Sequence, residues 1–270
     1  MERPVKCELF NDSFQNWKSH GIQKAQLLIA DIPYGLGTNA YSSSPLWYEG
    51  GDMKNGESDK ANSTFFYSDG YFRIPEFMWF CSRMVKKEPK NAGESPCMIV
   101  FCSFQQINEV IEEAKKEGFA KYEFLVFIKK SSPQVLKANM KILGACEYAI
   151  LLYRNRLPKF RNDGKMIKNW FEWEYDGKSV PKLHSTQKPL GVLKRLIEIF
   201  TDPGDVVIDP CAGSGSTLRA ARDLGRNSYG FEISKDFYKD AKEKMLNPEY
   251  CMQDDQIEGQ TNIFDIMKGA

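Results

Sequence analysis

The sequence predicts an α/β fold, a mostly parallel twisted sheet with helices on both faces. Three observations carry this prediction. Apolar runs of strand length alternate with segments of helical period. Glycines stand where helical segments should stop. The chain has 270 residues, 42% of them hydrophobic, enough for one large core.

Strands are expected at 27–31, 97–103, 122–128, 148–153, 206–209 and 228–232. Helices are expected at 75–87, 105–117, 187–200, 216–224 and 235–245. In the 187–200 segment Leu190, Leu193, Ile197 and Phe200 recur at three- and four-residue spacing and form one apolar stripe. Gly118 and Gly225 end the second and fourth helical segments. Continuous apolar runs such as Leu27-Leu28-Ile29-Ala30 belong to strands buried on both faces, as in parallel sheets.

Two stretches break this rhythm within a single domain expected over residues 1–246. Residues 41–73 are polar, rich in Gly, Ser and Asn, and dense in aromatics; so long a connection points to a functional loop or lid. Residues 154–182 interleave Arg154, Arg156, Lys159, Arg161, Lys165 and Lys168 with Phe160, Trp170, Phe171, Trp173 and Tyr175. That composition suits a basic, aromatic insertion that holds phosphates, or else a solvated charged face. Residues 247–270 form a polar C-terminal tail.

The net charge of +1 excludes a chain that binds nucleic acid through its overall field, so any such binding needs a local patch. Seven Cys without a CxxC pair, and only two His, argue against zinc fingers and a disulfide framework. Metal ligands are not expected. No signal segment or membrane-length apolar run is seen, and a reducing, cytoplasmic location is expected.

Two motifs carry chemistry. Asp31-Ile32-Pro33-Tyr34 ends the first apolar run. An Asp accepts hydrogen bonds from an amine, Pro fixes the backbone, and Tyr offers a face for stacking, although Asp-x-Pro also suits an ordinary turn. The second motif runs from Asp209 through Pro210, Cys211, Ala212, Gly213, Ser214 and Gly215 to Ser216, a strand, a glycine-rich turn and a helix start. Its glycines admit a ligand close to the backbone. Glu232 ends the next strand, where a nucleotide-binding βαβ unit places a ribose-binding carboxylate. Leu218 replaces the third glycine of the dinucleotide pattern and no Walker lysine is present, which points to an adenosine-containing ligand other than NAD or ATP.

Taken in order, Asp31-Ile32-Pro33-Tyr34, the 154–182 insertion, His184-Ser185-Thr186-Gln187-Lys188-Pro189 and the Asp209–Ser216 motif resemble the β group of S-adenosylmethionine-dependent DNA amino-methyltransferases. The resemblance spans about residues 7 to 245 and implies a Rossmann-like methyltransferase fold with circularly permuted motif order. It departs at Ile32, Ser185 and Cys211-Ala212. Ile32 keeps the carbonyl that faces the target amine but makes the tetrad less rigid.

The resemblance implies S-adenosyl-L-methionine as cofactor and N6 of a flipped adenine in DNA as target, with N4 of cytosine, RNA, a protein amide or a silent relative as alternatives. It assigns Asp31, Ile32, Pro33 and Tyr34 to catalysis. Asp209, Cys211, Ala212, Gly213, Ser214, Gly215 and Glu232 go to the cofactor, and Thr186, Gln187 and Lys188 bracket its carboxylate. Asp12 either sits near the adenine ring or is a solvated loop carboxylate. His184 reads as a loop or capping residue, and Glu147 either anchors the target pocket or simply ends a strand. A homodimer is implied; a cognate restriction nuclease is unknown.

Overall fold

The computed structural model describes residues 4–34, 72–130, 135–137, 142–177, 179–184 and 186–248. The expected lid at 41–73, except Phe72 and Arg73, and the end of the tail lie outside them.

The described strands are β1 (Cys7–Phe10), β2 (Leu27–Asp31), β3 (Cys97–Cys102), β4 (Lys121–Lys129), β5 (Val135–Lys137), β6 (Ile142–Leu143), β7 (Cys146–Tyr153), β8 (Trp170–Trp173), β9 (Val206–Asp209) and β10 (Asn227–Phe231). Eight of them form one sheet in the order β1-β10-β9-β2-β3-β7-β4-β8, while β5 and β6 pair as a small separate ribbon. The ladder is parallel from β1 to β3; β7 runs antiparallel to both neighbours, and β8 is parallel to β4.

Helices α1 (Ile74–Met84) and α2 (Ile107–Lys116) cover one face; α3 (Leu190–Phe200) and α4 (Ser216–Asp223) cover the other. A shorter α5 (Lys235–Asp240) continues into a π-helical turn at Ala241–Met245, which seals a third cluster with Leu9, Ala212 and Leu218. Pro75 starts α1 where a missing N–H costs nothing, and Phe77, Met78, Phe80, Cys81 and Met84 give it one wholly buried face. Each such side chain contributes about 1.5–3 kcal/mol by leaving water. Gly118 and Gly225 follow α2 and α4 at φ 86° and 76°, the left-handed conformation that stops a helix.

Strands β9 and β2 meet at the point where winding changes direction, joined by the register pairs Leu27↔Val207 and Leu28↔Ile208. In doubly wound sheets the crevice at the carboxyl ends of such a pair is where ligands bind. Asp31 and Asp209 are the last residues of these two strands.

Candidate active site

The tetrad is held by the turn that follows β3. Ile32 N donates to Phe101 O at 3.2 Å, continuing the ladder one residue past β2. The Gln106 amide donates to Pro33 O at 2.8 Å and the Ser103 hydroxyl to Tyr34 O at 3.3 Å. Ser103 also fixes Gln106: Ser103 N donates to Gln106 Oε1 at 3.0 Å. The Ile32 side chain is fully buried in the α1 face of the core. The rigidity that a proline would supply at this position comes instead from an apolar peg and two side-chain clamps.

Around Asp31 stands a buried charge network. Lys188 Nζ donates to Asp31 Oδ2 at 2.5 Å and to Tyr34 Oη at 3.4 Å, and lies 3.9 Å from Glu147 Oε2. The Tyr34 hydroxyl donates to Glu147 Oε2 at 2.7 Å, and Lys129 Nζ donates to Glu147 Oε1 at 2.6 Å. The Lys188 ammonium also sits over the rings of Phe101, Tyr34 and Trp173, at 5.2, 5.5 and 5.7 Å. Asp31 Oδ1 is different: it is buried and has no hydrogen-bond partner among the described residues. A buried acceptor left unpaired costs about 1–3 kcal/mol, so this oxygen is poised for an N–H from outside.

Burial pushes the Asp31 carboxyl upward, against the pull of Lys188. For Glu147, Lys188 and Lys129 outweigh burial and lower the pKa. Lys188 itself is held up by the two carboxylates despite its burial. The network packs two carboxyl groups and two lysines into a small volume.

Across the switch point lies the glycine turn. Gly213 and Gly215 adopt φ 49° and 78°, and a β-carbon placed on Gly213 would meet nothing within 4 Å. Gly213 N donates to Glu232 Oε2 at 2.9 Å, and Ser234 N donates to Glu232 Oε1 at 2.7 Å. Burial raises the Glu232 pKa. Ala212 N is tied to Phe231 O, and the Ser214 and Ser216 hydroxyls pair at 2.8 Å. Asp209 accepts from Cys211 N at 3.0 Å, and burial pushes its pKa up to about 7. The Cys211 thiol is raised by burial and by the Asp209, Glu232 and Asp31 carboxylates, which removes it as a nucleophile. An open glycine cradle, a carboxylate at its lip and an acidic surround fit a cationic adenosyl cofactor.

The other expected site residues are more dispersed. Asp12 follows β1 beside Glu232, since Asn11 Nδ2 donates to Glu232 O at 2.9 Å. Its carboxylate accepts from Ser13 N and Asn16 Nδ2, both at 2.7 Å, and lies 2.9 Å from His20 Nε2. His184 is a capping residue: its Nδ1 takes Thr186 N at 3.1 Å and lies 2.8 Å from the Thr186 hydroxyl. The Gln187 side chain spans Leu183 N and Pro181 O and so shapes the loop. Lys188, expected at the cofactor carboxylate, has its ammonium on Asp31.

The basic insertion divides. β7 runs away from Asp31, so the chain after Tyr153 emerges at the opposite end of the sheet. There Arg154 donates to Ser82 O and Lys86 O and lies over Phe119 at 4.5 Å. Arg156 donates to Pro89 O and Lys90 O. Lys159 pairs with Asp202 and Asp205, both at 2.7 Å, and Arg161 with Asp202 and Glu94. Four of the six expected DNA contacts are thus spent on structure, far from the tetrad. Lys165 N caps a local turn to Asn162 O, and Lys168 lies over Trp170 at 4.7 Å. The insertion reaches the site through β8, which brings Trp173 to Lys129 and Lys188, and through Val180 and Pro181, which meet the Ala212 cluster and the Gln187 amide.

Residues 25–243 match the N6_N4_Mtase family model, described as DNA methylase. The chain belongs to this family of DNA methylases. It is 26% identical over 261 residues to the DNA adenine methyltransferase YhdJ of Escherichia coli K12, covering 87% of this chain and 81% of that one. Among solved structures, the M1.HpyAVI–SAM complex superposes with a TM-score of 0.62 at 20% identity, covering 89% of this chain and 98% of the other. PvuII DNA methyltransferase, described as cytosine-N4-specific, gives 0.62 at 14% identity with 94% coverage of both. The Rossmann-like methyltransferase fold follows, and S-adenosyl-L-methionine is the cofactor. The residues that would hold it are Gly213, Gly215 and Glu232, with Asp209 beneath.

Proposed function

We propose that this DNA methylase transfers a methyl group to N6 of an adenine flipped out of DNA. The observation that carries the reading is the unpaired, buried Asp31 Oδ1 beside Tyr34, across the sheet's switch point from the glycine cradle. An exocyclic amine conjugated with its ring is a poor nucleophile. Asp31 Oδ1 and the Ile32 carbonyl accept its two hydrogens and shift electron density onto nitrogen. The bound cofactor supplies a sulfonium-activated methyl group, so the protein's main task is alignment. The proton released from nitrogen passes to Asp31 Oδ1, whose affinity for it burial has raised.

Lys188 donates to the Tyr34 hydroxyl at the edge of the ring, and a ring face takes the flipped base, offsetting part of the few kcal/mol that flipping costs. The adenine-specific name of YhdJ supports the choice of base. The cytosine-N4 name of the PvuII enzyme keeps N4 of cytosine as the second reading, because that amine presents the same two hydrogens. Among the described residues no helix is long and apolar enough to cross a membrane, and six of the seven cysteines are free thiols, which fits a cytoplasmic enzyme. A homodimer is part of the proposal.

Tritiated-methyl transfer to double-stranded DNA, single-stranded DNA, RNA and protein tests the reading, with methylation-sensitive sequencing to identify base and context. Asp31→Ala is expected to abolish transfer while cofactor binding, followed by calorimetry, persists. Loss of cofactor binding in a folded variant would remove Asp31 from the amine clamp.

A further inference from the structure

Beside the target pocket runs a row of rings that the reaction itself does not use. Phe104, the first residue of the turn after β3, is 69% exposed, the most open ring among the described aromatics. Its ring packs on Tyr148 at 5.9 Å, and Tyr148 stacks on Phe124 at 5.7 Å and 23°. Tyr148 pairs across the sheet with Val126, and Val126 with Trp170, so these three share one face over β7, β4 and β8. Trp170 carries the Lys168 ammonium at 4.7 Å. The strip is thus aromatic at the pocket and cationic at its far end.

Its near end is continuous with the amine clamp. Phe104 sits between Ser103 and the residues leading to Gln106, the two side chains that hold the Tyr34 and Pro33 carbonyls. Tyr148 follows Glu147 in β7 but points to the opposite face of the sheet, so the strip meets the clamp at the sheet's edge, through the Ser103–Gln106 turn. A base delivered to Tyr34 leaves its nearest neighbour in the strand without a stacking partner. An exposed ring on a turn one residue from the clamp is open to such a base. Stacking of this kind is indifferent to sequence, because every base has a π-face.

We propose that Phe104, backed by Tyr148 and Phe124, is the stacking platform for the DNA base next to the flipped target, with Lys168 toward the strand's phosphates. This rests on the DNA-methylating reading above. It commits the strip to nucleic acid, and its continuity with the turn that clamps the Tyr34 and Pro33 carbonyls argues for that occupant.

The test uses the full-length protein and a duplex oligonucleotide carrying the methylated site found by sequencing, with 2-aminopurine beside the target base. Phe104→Ala is expected to raise the KM for DNA about tenfold, in line with the usual loss of one base–aromatic stack. It should also leave the neighbouring 2-aminopurine brighter than in the parent complex, while cofactor affinity and melting temperature stay unchanged. Phe104→Trp should restore both readouts to within about threefold of the parent. An unchanged KM and fluorescence in Phe104→Ala would overturn the platform, as would a Trp variant as impaired as the Ala variant. A parent protein that methylates no DNA overturns the underlying reading instead, and that result appears before any variant is made.

Discussion

At Asp31, two opposing influences set the working charge. Burial favours the protonated carboxyl; Lys188, at 2.5 Å, favours the carboxylate. An amine clamp requires the carboxylate, because a protonated acid would donate rather than accept. Lys188→Met removes the favourable charge and leaves burial unopposed, so the Asp31 pKa rises further. The acid limb of the kcat/KM–pH profile should then move to higher pH, with residual activity recovering as pH increases. A profile of reduced height but unchanged shape would show that Lys188 does not set the charge of Asp31. The tetrad was legible because its four residues are consecutive and each has a recognisable task. Lys129, Glu147, Trp173 and Lys188 were not legible as a group: ladder registers bring together the first three, from β4, β7 and β8, and the loop before α3 adds Lys188.

Elements differed in how plainly the sequence announced them. The central strands β2, β3 and β9 are continuous apolar runs because both their faces are covered, and their expected limits agree with the structure to within one residue. The two strands of the main sheet that the pattern missed, β1 and β8, are its edges. An edge strand is only partly covered, so Cys-Glu-Leu-Phe and Trp-Phe-Glu-Trp carry no unbroken apolar signal. The last expected helix, 235–245, is an α-helix only to Asp240 before it widens into the π turn. Strand β10 contains the tightest glycine among the described residues. A β-carbon on Gly230 would come within 2.7 Å of Leu218 Cδ1 and 3.0 Å of Ala212 Cβ, the latter within the cofactor turn itself. Gly230→Ala should therefore cost about 1–3 kcal/mol of stability through overpacking. It should also weaken cofactor binding, measurable by denaturant titration and calorimetry on the same preparation. Parental stability would mean that Leu218 can move aside freely.

On the scale of the whole molecule, positive charge is divided between two ends of the sheet. Lys159 and Arg161 look in the sequence like a nucleic-acid patch, yet they bind Asp202, Asp205 and Glu94 at the end opposite the tetrad. Sequence spacing cannot reveal this, because their acidic partners lie on segments distant in the chain. Arg161→Ala is expected to leave the KM for DNA unchanged and to lower Tm by about 2–4 °C, the modest return of partly exposed pairs. Arg161 and Lys159 hold the Asp202 pKa down to about 2. A depressed carboxylate contributes stability that is complete above its unfolded value near 3.9, and that stability disappears as pH falls through about 2. The Arg161 variant should accordingly show a shallower loss of stability on acidification, measured by thermal melts from pH 5 to 2. A weakened DNA KM in that variant would return Arg161 to the DNA-contacting set.

The seam between β2 and β9 separates two kinds of duty. On one side β1, β10 and β9 carry the cradle and Glu232; on the other, β2, β3, β7, β4 and β8 carry the amine clamp, its charge network and the ring strip. The ladder between them records just two register pairs, both main chain. That short stitch works as a caliper, because main-chain bonds, with Leu27 and Leu28 packed against the same cores as Val207 and Ile208, fix the gap between donor and acceptor. Substrate preference is therefore free to drift on one bank of the seam, and cofactor grip on the other, while the span that the methyl group crosses stays constant.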